Sequence, residues 1–485
     1  MDKNGLVTIS EWYKGQKSHP IAGFGLLKNV EVFENKGLAS IKKASILDTN
    51  ITPTQLPIAL AVDDSGNTYI ATGETGSGAV YKNGTSIQTG LSNLRDIKIY
   101  KNYLFVRYGE FLSMYGPLTS GAAQWFSGYN GFNTSYNAQL LVGQDDFLYI
   151  TNGNEVRKVE VTASGVVGVQ PTLNTSNAVL DLPDGQYATC LTEFGTKIAI
   201  GTQGGSSYSE RGNTPTARLY TWNRQAGTLG NPGLADLPVN FNENGLNAMM
   251  QYANKLYVSA GTQGSIYVTD STNFVKLASL PYTSTVGNSN STVYSNAMDI
   301  SARGTLLVGL SCDQDEFSRP GVYEIDINAA GNPVSFSTVS STAGLTGKIG
   351  FVDAISYNTL KVGWSDGSTY GVDTTSNSTY SSFGGVIESS LIKVGRAKAK
   401  KTLQHIEWTI ADPLETAQSI RISYRKNSKD DYTAIGTWDF ATYGAITSFE
   451  DVAGISDADY IQIKVELDQD AGATKNINLI SVTLW

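Results

Sequence analysis

Acidic side chains at the tips of predicted hairpins are the residues of this chain that could carry out acid–base chemistry. Two carboxylates that converge near an opening can cleave a glycosidic bond, and the same oxygen atoms can bind calcium. Aspartate is also a preferred turn residue, because its side chain accepts hydrogen bonds from the nearby backbone. We therefore interpret these residues as solvated turn positions, and they are Asp63, Asp64, Asp145, Asp146, Asp313, Asp315 and Glu316.

Histidine and cysteine, the usual bases, nucleophiles and zinc ligands, are nearly missing from this chain. His19 and His405 are its two histidines, and the sequence places no nucleophile beside either one, so a catalytic triad or dyad has no support. Cys190 and Cys312 lie in different predicted repeats, so a disulfide is not expected. No clustered zinc ligands and no glycine-rich phosphate loop are found. We predict a protein that is not an enzyme, with no catalytic residue, metal site or cofactor.

Aromatic side chains offer a second kind of chemistry, the binding of sugars. Exposed Trp rings stack on sugar rings, and Trp125, Trp222 and Trp364 are the candidates for such a platform. Tryptophan is more often a core or rim residue in a β-rich protein, because its large ring buries a large apolar area. A carbohydrate-binding protein therefore remains an alternative, and a glycan-cleaving enzyme is a less favoured one.

Two long insertions, residues 203–216 and 311–320, interrupt predicted hairpins. Loops held by a rigid scaffold often carry binding contacts, although a tolerated surface insertion is an equally good interpretation of each one. The candidate contact residues within them are Gln203, Tyr208, Arg211, Asp313, Asp315, Phe317 and Arg319.

The charge of the chain disfavours a nucleic-acid partner. The formal net charge is −9 over 485 residues, whereas binding to phosphates needs a basic face. The one basic cluster, residues 393–401, is short and lies at a predicted domain junction, so we interpret it as the edge of a linker. No apolar run is long enough to span a membrane, and no signal peptide is evident.

An internal repeat is the strongest organising feature of the sequence. Each copy has an apolar strand, a turn with Gly, Asn or Asp, a second strand rich in aromatic and β-branched residues, and then a further strand that contains Tyr. A spacing of roughly 40 to 60 residues between copies matches the four-stranded blade of a β-propeller. The repeat therefore predicts about seven blades, with copies at residues 60–73, 96–106, 140–150, 190–201, 249–261, 299–309 and 354–363.

The two ends of such a ring must be joined, since open blade edges would otherwise expose unpaired backbone groups. Residues 26–45 are strand-like and precede the first copy, so we predict that they complete the last blade. After residue 386 the strands alternate apolar and polar residues, which is typical of an antiparallel β-sandwich. The predicted domains are an irregular lead (1–25), the propeller (26–385, with closing strands at 26–45) and the sandwich (386–485).

Both ends of the chain resemble one family of viral proteins. The lead Glu11-Trp-Tyr-Lys-Gly15, followed by Gly23-Phe-Gly and Asn29-Val-Glu-Val-Phe33, resembles the opening of propeller proteins from tailed bacteriophages. In this chain Glu31 and Lys36 stand where that pattern has Asp and Pro. The run Ser423-Tyr-Arg425 and Tyr460-Ile-Gln-Ile-Lys-Val-Glu-Leu467 resembles the terminal sandwich of the same proteins.

The resemblance implies a structural component of a bacteriophage tail: a nozzle, hub, fibre or receptor-binding part. Such a protein would be synthesised in the host cytoplasm and located in the virion, in multiple copies around the tail axis. Its partners would be other tail proteins and, for a receptor-binding part, a glycan or protein on the host surface. No functional residue of the family is defined well enough to be carried over to this sequence.

Overall fold

The computed structural model describes most of the chain. The described residues are 7–9, 24–28, 30–32, 38–73, 76–133, 138–162, 168–204, 217–225, 233, 235–236, 238–262, 264–270, 273–280, 297–311, 320–328, 334–337, 347–356, 359–380, 384–394, 401–427, 430–469 and 475–485. Within these ranges the regular secondary structure is almost entirely β-strand, and no helix is long and apolar enough to cross a membrane.

Five short strands come first along the chain. They are β1 (Val7–Ile9), β2 (Phe24–Lys28), β3 (Val30–Glu31), β4 (Ala39–Ile41) and β5 (Lys43–Leu47). The repeats then form antiparallel blades, each with its strands in sequence order from the first strand outwards.

Blades 1 to 4 comprise strands β6 to β21. These are β6 (Pro57–Val62), β7 (Thr68–Thr72), β8 (Ser77–Lys82) and β9 (Thr85–Ser92); β10 (Leu94–Tyr100), β11 (Tyr103–Tyr108), β12 (Phe111–Gly116) and β13 (Gln124–Asn130); β14 (Leu140–Val142), β15 (Leu148–Asn152), β16 (Glu155–Thr162) and β17 (Thr172–Asp181); and β18 (Gln186–Phe194), β19 (Lys197–Gly204), β20 (Arg218–Trp222) and β21 (Val239–Asn240).

Blades 5 to 7 comprise strands β22 to β32. These are β22 (Leu246–Tyr252), β23 (Lys255–Ala260), β24 (Ser265–Thr269) and β25 (Phe274–Ser279); β26 (Ala297–Ile300), β27 (Leu306–Leu310), β28 (Gly321–Ile325) and β29 (Val334–Ser337); and β30 (Lys348–Ser356), β31 (Thr359–Ser365) and β32 (Tyr370–Tyr380). The predicted fold class is therefore confirmed: the protein is all-β, with a seven-bladed propeller and a sandwich.

The hairpin tips carry the backbone conformation that the repeat predicts. Asn102, between β10 and β11, has φ = 66°, and Asn254, between β22 and β23, has φ = 61°. Asparagine tolerates this left-handed region better than most residues, so the tips can turn within two residues.

Ring closure uses a shorter segment than the predicted 26–45. Strand β5 pairs antiparallel with β32 of blade 7, with Ser45 opposite Thr375. The Ser45 hydroxyl also donates to Asp373 Oδ2 over 2.9 Å. Strands β2 to β4, which the prediction assigned to the ring, pair with C-terminal strands instead. Their alternating pattern would suit either sheet, so the sequence does not indicate which partner they take.

The sandwich is built from both parts of the chain that flank the propeller. Its C-terminal elements are β33 (Gly385–Ser389), β34 (Ile392–Lys393), β35 (Lys401–Ile410), β36 (Gln418–Arg425), β37 (Thr433–Asp439), α1 (Phe440–Tyr443), β38 (Ser448–Ala458), β39 (Tyr460–Gln469) and β40 (Asn478–Leu484).

The N-terminal strands add to both sheets of this sandwich. One sheet has the order β3-β4-β40-β35-β38 with β1 also on β40, and the other contains β2-β33-β39-β36-β37. Residues 1–25 are therefore not wholly an irregular lead, because Val7–Ile9 is a strand and β2 begins at Phe24. Leu27, Val30 and Ala39 are fully buried in the same core as Trp408 and Trp438.

The sandwich is joined to the propeller through blade 6. Strand β2 lies beside β29, the last strand of that blade, with Lys28 opposite Phe336 in a parallel pairing. The four strands of blade 6 and the second sandwich sheet therefore form one ten-stranded sheet. Two ion pairs cross the same junction: Glu31 to Arg303 over 3.2 Å and Lys42 to Glu324 over 2.8 Å.

Candidate functional site in the central channel

The centre of the ring contains a concave recess of about 140 Å³. It is lined mainly by residues in or near the first strands of the blades, together with Ser311, which follows β27. A recess of this size holds a few water molecules or a small ion, whereas sites for drug-sized ligands usually exceed about 300 Å³. Its polar side chains are Arg95, Asp96, Gln139, Thr189, Asn247, Ser311 and Lys348.

Several of these polar side chains hold neighbouring blades together. Asp96 accepts hydrogen bonds from the backbone N–H groups of Ile97 and of Leu140 in the next blade, both at 2.8 Å. Burial raises the pKa of the Asp96 carboxyl, although Lys98 and the two N–H groups favour its ionised form. Because both carboxylate oxygens are engaged in this way, Asp96 acts as a structural link.

Further links follow around the same mouth. Gln139 Oε1 accepts from the N–H of Leu191, and the Thr189 hydroxyl donates to the carbonyl of Leu246 over 2.6 Å. Ser311 Oγ accepts from the N–H of Ile349 over 2.9 Å. Each bond joins one blade to the next, so these groups stabilise the ring and have fewer free atoms for a ligand.

Two further carboxylates, Asp299 and Asp353, lie deeper in the channel, where both interact with Lys98. Asp299 accepts hydrogen bonds from the N–H groups of Ile300 and Ala354, and burial raises its pKa even though these bonds and Lys98 oppose the rise. Burial also raises the pKa of Asp353 to about 6, with the neighbouring Asp299 adding to the rise and Lys98 opposing it. A carboxyl with that pKa can take up or release a proton near neutral pH.

Asp96 and Asp299 were not among the predicted site residues, although the repeat contains a signal for both. Asp96 and Asp299 occupy the same position of the repeat, since each precedes an isoleucine in the first strand of its blade. Both make the same link, to their own following N–H group and to the first strand of the next blade. An alignment of the repeat copies would have separated these inward-facing aspartates from those in the turns.

The turn aspartates that the structure describes, in blades 1 and 3, lie at the far end of their first strands from the channel recess. Strand β6 begins beside the recess and ends before Asp63, and its six residues rise about 20 Å. Asp63 accepts hydrogen bonds from the N–H groups of Ser65 and Asn67 and from the Tyr69 hydroxyl, at 3.0, 2.8 and 3.1 Å. Asp64, its neighbour, is exposed.

The equivalent turn of blade 3 is also held by contacts to its surroundings. Asp145 accepts from the Tyr149 hydroxyl over 2.6 Å and lies 3.7 Å from Arg224. Asp146 lies 3.3 Å from Lys101 and has a positive φ of 59°. The described turn acids thus behave as turn residues, while Asp313, Asp315 and Glu316 lie outside the described residues.

The predicted contact loops are placed only in part. Gln203 does not lie in an exposed loop: it is 4% exposed and belongs to β19, which stays paired with β18 as far as Gly204. The insertion therefore begins later than predicted, because the hairpin is longer than its apolar pattern suggests. Tyr208, Arg211, Asp313, Asp315, Phe317 and Arg319 lie outside the described residues.

The tryptophans proposed as a sugar platform lie mainly in the core. Trp222 is 1% exposed and makes an edge contact with Tyr149, with ring centroids 5.9 Å apart. Trp364 is 2% exposed and its indole N–H donates to Asp373 Oδ1 over 2.6 Å. Trp125 is half-buried and packs between blades 1 and 2. Neither Trp222 nor Trp364 presents a ring face to solvent.

The histidine and cysteine side chains that the structure describes lie in different parts of the fold. His405 lies in β35 of the sandwich, stacked on Trp485 with centroids 5.7 Å apart and with Nδ1 3.5 Å from Glu450. Cys190 is buried between blades 4 and 5, and Cys312 lies outside the described residues. Among the residues that the structure describes, no three His, Cys, Asp or Glu side chains could hold a metal ion together.

Comparisons with known proteins were made by sequence and by structure. No family model and no curated protein matches the chain. Among solved structures, the extracellular domain of BT4673 from B. thetaiotaomicron, described as part of a hybrid two-component system, is 13% identical with a TM-score of 0.45; the alignment covers 81% of this chain and 44% of that one. This chain thus spans less than half the length of that relative.

Two other similar structures are propellers or enzymes of about the size of the ring. The β-propeller domain of Cps50 (Swd1) from Myceliophteria thermophila is 10% identical with a TM-score of 0.43, covering 68% of this chain and 100% of that one. The virginiamycin B lyase of Staphylococcus aureus is 9% identical with a TM-score of 0.43, covering 69% and 98%. Likenesses at this level give no information about the ligand or activity of this chain.

Proposed function

We propose that this chain is a non-catalytic structural component of a bacteriophage tail, in which the propeller is a rigid platform for binding. It would be a nozzle, hub, fibre or receptor-binding part, made in the host cytoplasm and built into the virion in several copies. Its partners would be other tail proteins and, for a receptor-binding part, a glycan or protein of the host surface.

One observation carries the rigid-platform part of the proposal: the sheet that runs without a break from blade 6 into the sandwich. A flexible linker would let two domains move independently, whereas shared backbone hydrogen bonds fix their orientation. The pairs Glu31–Arg303 and Lys42–Glu324 reinforce the junction. A component that must hold its neighbours in fixed positions benefits from such a connection.

The test is to look for the protein in purified virions. Particles would be collected from lysed cultures that produce this protein and separated on a density gradient. Peptide counting by mass spectrometry should find it in the particle fraction in several copies per particle, and electron cryomicroscopy should show its propeller and sandwich as ordered density in the tail. If it stays in the soluble lysate while the tail proteins sediment, the proposal is wrong.

The carboxylates in the channel favour a second candidate, a glycan-cleaving enzyme. Asp353, with its pKa near 6, would be the general acid of such a reaction, and Asp299 would be the second carboxylate once a substrate displaced one of the two backbone N–H groups that hold its oxygens. We expect purified protein to release no reducing sugar from host-surface polysaccharide. Release that disappears in Asp353→Asn but persists in the surface variant Asp64→Asn would instead establish the enzyme.

A further inference from the structure

Two cations at the channel mouth have no partner among the residues that the structure describes. Arg95, in β10 of blade 2, and Lys348, at the start of β30 of blade 7, both line the recess. In the part of the chain that the structure describes, neither side chain makes an ion pair or a hydrogen bond. Arg95 is half-buried and Lys348 is exposed, so both cations can be reached by a ligand from solvent.

The described lining of the recess provides no free negative charge to balance them. Asp96 is the one acidic residue among the described lining residues, and both of its oxygens are occupied by backbone N–H groups of blades 2 and 3. The other polar lining groups whose bonds link the blades, Gln139, Thr189 and Ser311, are neutral. Among the described lining residues, Arg95 and Lys348 are therefore the charged groups left to attract an anion, while Lys98 and the carboxylates of Asp299 and Asp353 offset one another deeper in the channel.

A third cation lies behind Arg95. Arg107 of β11 is fully buried, stacks on the Phe132 ring at 4.7 Å and donates to the carbonyls of Gly109, Phe111 and Asn133. It makes no ion pair with a described carboxylate, and its Nε has no hydrogen-bond partner. Burial, with Arg95 and Arg157 nearby, lowers the pKa of Arg107 to about 9, so it is still charged at neutral pH.

We propose that the channel mouth binds an anionic group, a carboxylate, sulfate or phosphate, between Arg95 and Lys348. The planar guanidinium of arginine matches two oxygens of such a group, and the lysine ammonium adds a point charge from the opposite side of blade 1. The volume of about 140 Å³ admits a single oxyanion. A larger ligand would place only its charged end in the recess.

This proposal is independent of the role in a tail, because it depends only on the geometry of the ring. The ligand could be a free inorganic ion or the acid group of a sugar, such as a uronic or sialic acid. The two sources share the same recognition chemistry and differ in whether the rest of the ligand adds affinity.

Titration calorimetry on the full chain tests the proposal directly. Sodium sulfate, sodium phosphate, glucuronate and N-acetylneuraminate would be titrated in chloride buffer at constant ionic strength, with glucose as the neutral control. We expect saturable binding of at least one anion and none of glucose. The double variant Arg95→Gln/Lys348→Gln should weaken that binding by about tenfold or more, because it removes two charge-assisted contacts.

A control variant distinguishes binding at Arg95 and Lys348 from a general effect of the protein's charge on anion binding. Lys255→Gln removes one exposed cation from the opposite end of blade 5, and it should leave anion binding unchanged. The double variant should fold normally, since neither side chain contributes a bond to the ring, and an unchanged unfolding temperature without ligand would verify this.

The outcomes decide the proposal and the source of the ligand. Equal affinity for sulfate, phosphate and the acidic sugars indicates a site for free ions, and at least tenfold tighter binding of one acidic sugar indicates a glycan end group. No saturable binding, or binding unchanged in the double variant, overturns the proposal. The proposal is also overturned if the triple variant Asp313→Asn/Asp315→Asn/Glu316→Gln binds anions and the wild type does not. Those three acids would then be the natural partners of Arg95 and Lys348.

Discussion

At the scale of single residues, the carboxylates of this chain divide into two groups by their surroundings. Asp63 sits in a turn, where burial disfavours its charge but hydrogen bonds from Asn67, Tyr69 and Ser65 outweigh that cost and lower its pKa. Asp353 sits in the channel without such bonds, so burial and Asp299 raise its pKa to about 6. The same side chain is therefore stabilised as an anion at one end of a blade strand and destabilised at the channel wall.

Replacing Asp63 by Ala should destabilise the protein by about 1 to 2 kcal/mol, because several turn donors lose their acceptor. The lowered pKa means that this contribution is present above the unfolded value of 3.8 and is lost as the pH falls through the lower folded value. Urea unfolding at pH 7 and at pH 3 measures it. The exposed neighbour gives the control: Asp64→Ala should change little, and an equal loss there would contradict the turn role.

Replacing Asp353 by Asn should stabilise the protein at neutral pH. The raised pKa means that the folded state keeps a proton between pH 3.8 and about 6 that the unfolded state has released, so wild-type stability falls as the pH rises through this window. Above about pH 6, Asn at position 353 avoids the cost of the buried negative charge that the wild type carries, which is on the order of 1 to 2 kcal/mol. Urea unfolding at pH 4 should show no difference between the two proteins. A variant that is less stable at pH 7.5 would show that the carboxylate is favourably bound.

At the scale of elements, the junction of sandwich and propeller depends on a buried ion pair. Glu324 of β28 pairs with Lys42, which lies between β4 and β5, and also accepts from the Thr305 hydroxyl over 2.8 Å. Burial disfavours the Glu324 charge, but Lys42, Thr305 and Arg303 outweigh it and hold the pKa of the carboxyl below its usual value. The pair thus fixes the segment that leads from the sandwich into the ring.

Breaking that pair with Lys42→Met should cost about 3 kcal/mol, since it leaves Glu324 charged and buried. Because the folded pKa of Glu324 is lowered, the contribution of the pair is present above pH 4.5 and is lost as the pH falls through the lower folded value. Chemical unfolding of wild type, Lys42→Met, Glu324→Gln and the double variant forms a cycle, and we expect the double variant to lose less than the sum. Lys197→Met, which breaks an exposed pair with Asp236, is the control and should cost less than about 1 kcal/mol.

Strand β5 should act as the closure of the ring. Ser45→Pro removes a backbone donor and places a rigid ring in the middle of a paired strand, so we expect β5 to detach from β32. Hydrogen exchange should then show lost protection in β5 and β32 while blades 2 to 5 keep theirs. Ser45→Ala, which loses only the bond to Asp373, should retain protection in both strands. Unchanged exchange in the proline variant would mean that the ring closes in another way.

The positions of the strands could be predicted from the sequence far better than the way in which the strands pair. The repeat copies and the Asn tips identify the blades, because period-two alternation and turn residues are local signals. The pairing of β1 to β4 with β40, β33 and β29 is a long-range choice between two similar sheets, and local pattern carries no information about it. The channel site could not be predicted for the same reason. In the sequence Arg95 and Lys348 look like ordinary surface residues, and only the closed ring brings blades 2 and 7 near each other.

At the scale of the whole molecule, the propeller is inserted into the sandwich. The chain leaves the sandwich after β4, completes the ring from β5 to β32, and returns at β33. The shared sheet and the ion pairs at blade 6 couple the two parts, so neither should unfold without affecting the other.

Scanning calorimetry should therefore show one unfolding transition for the wild type, with equal calorimetric and van't Hoff enthalpies. The double variant Lys42→Met/Glu324→Gln, which weakens the junction, should broaden or split it. Two separated transitions in the wild type would show that the shared sheet does not couple the parts.

The pairing of β1 with β40 has a mechanical consequence. Val7 lies opposite Leu484, so β1, the first described strand, pairs antiparallel with β40, the last strand, at one edge of the sandwich. Force applied between these two residues would separate β1 from β40 one hydrogen bond at a time. The force would then act on the sheets of the sandwich. The ring does not carry this force until the sandwich has opened. Force applied at Val7 and Leu484 would therefore unfold the sandwich first, while the channel kept its shape.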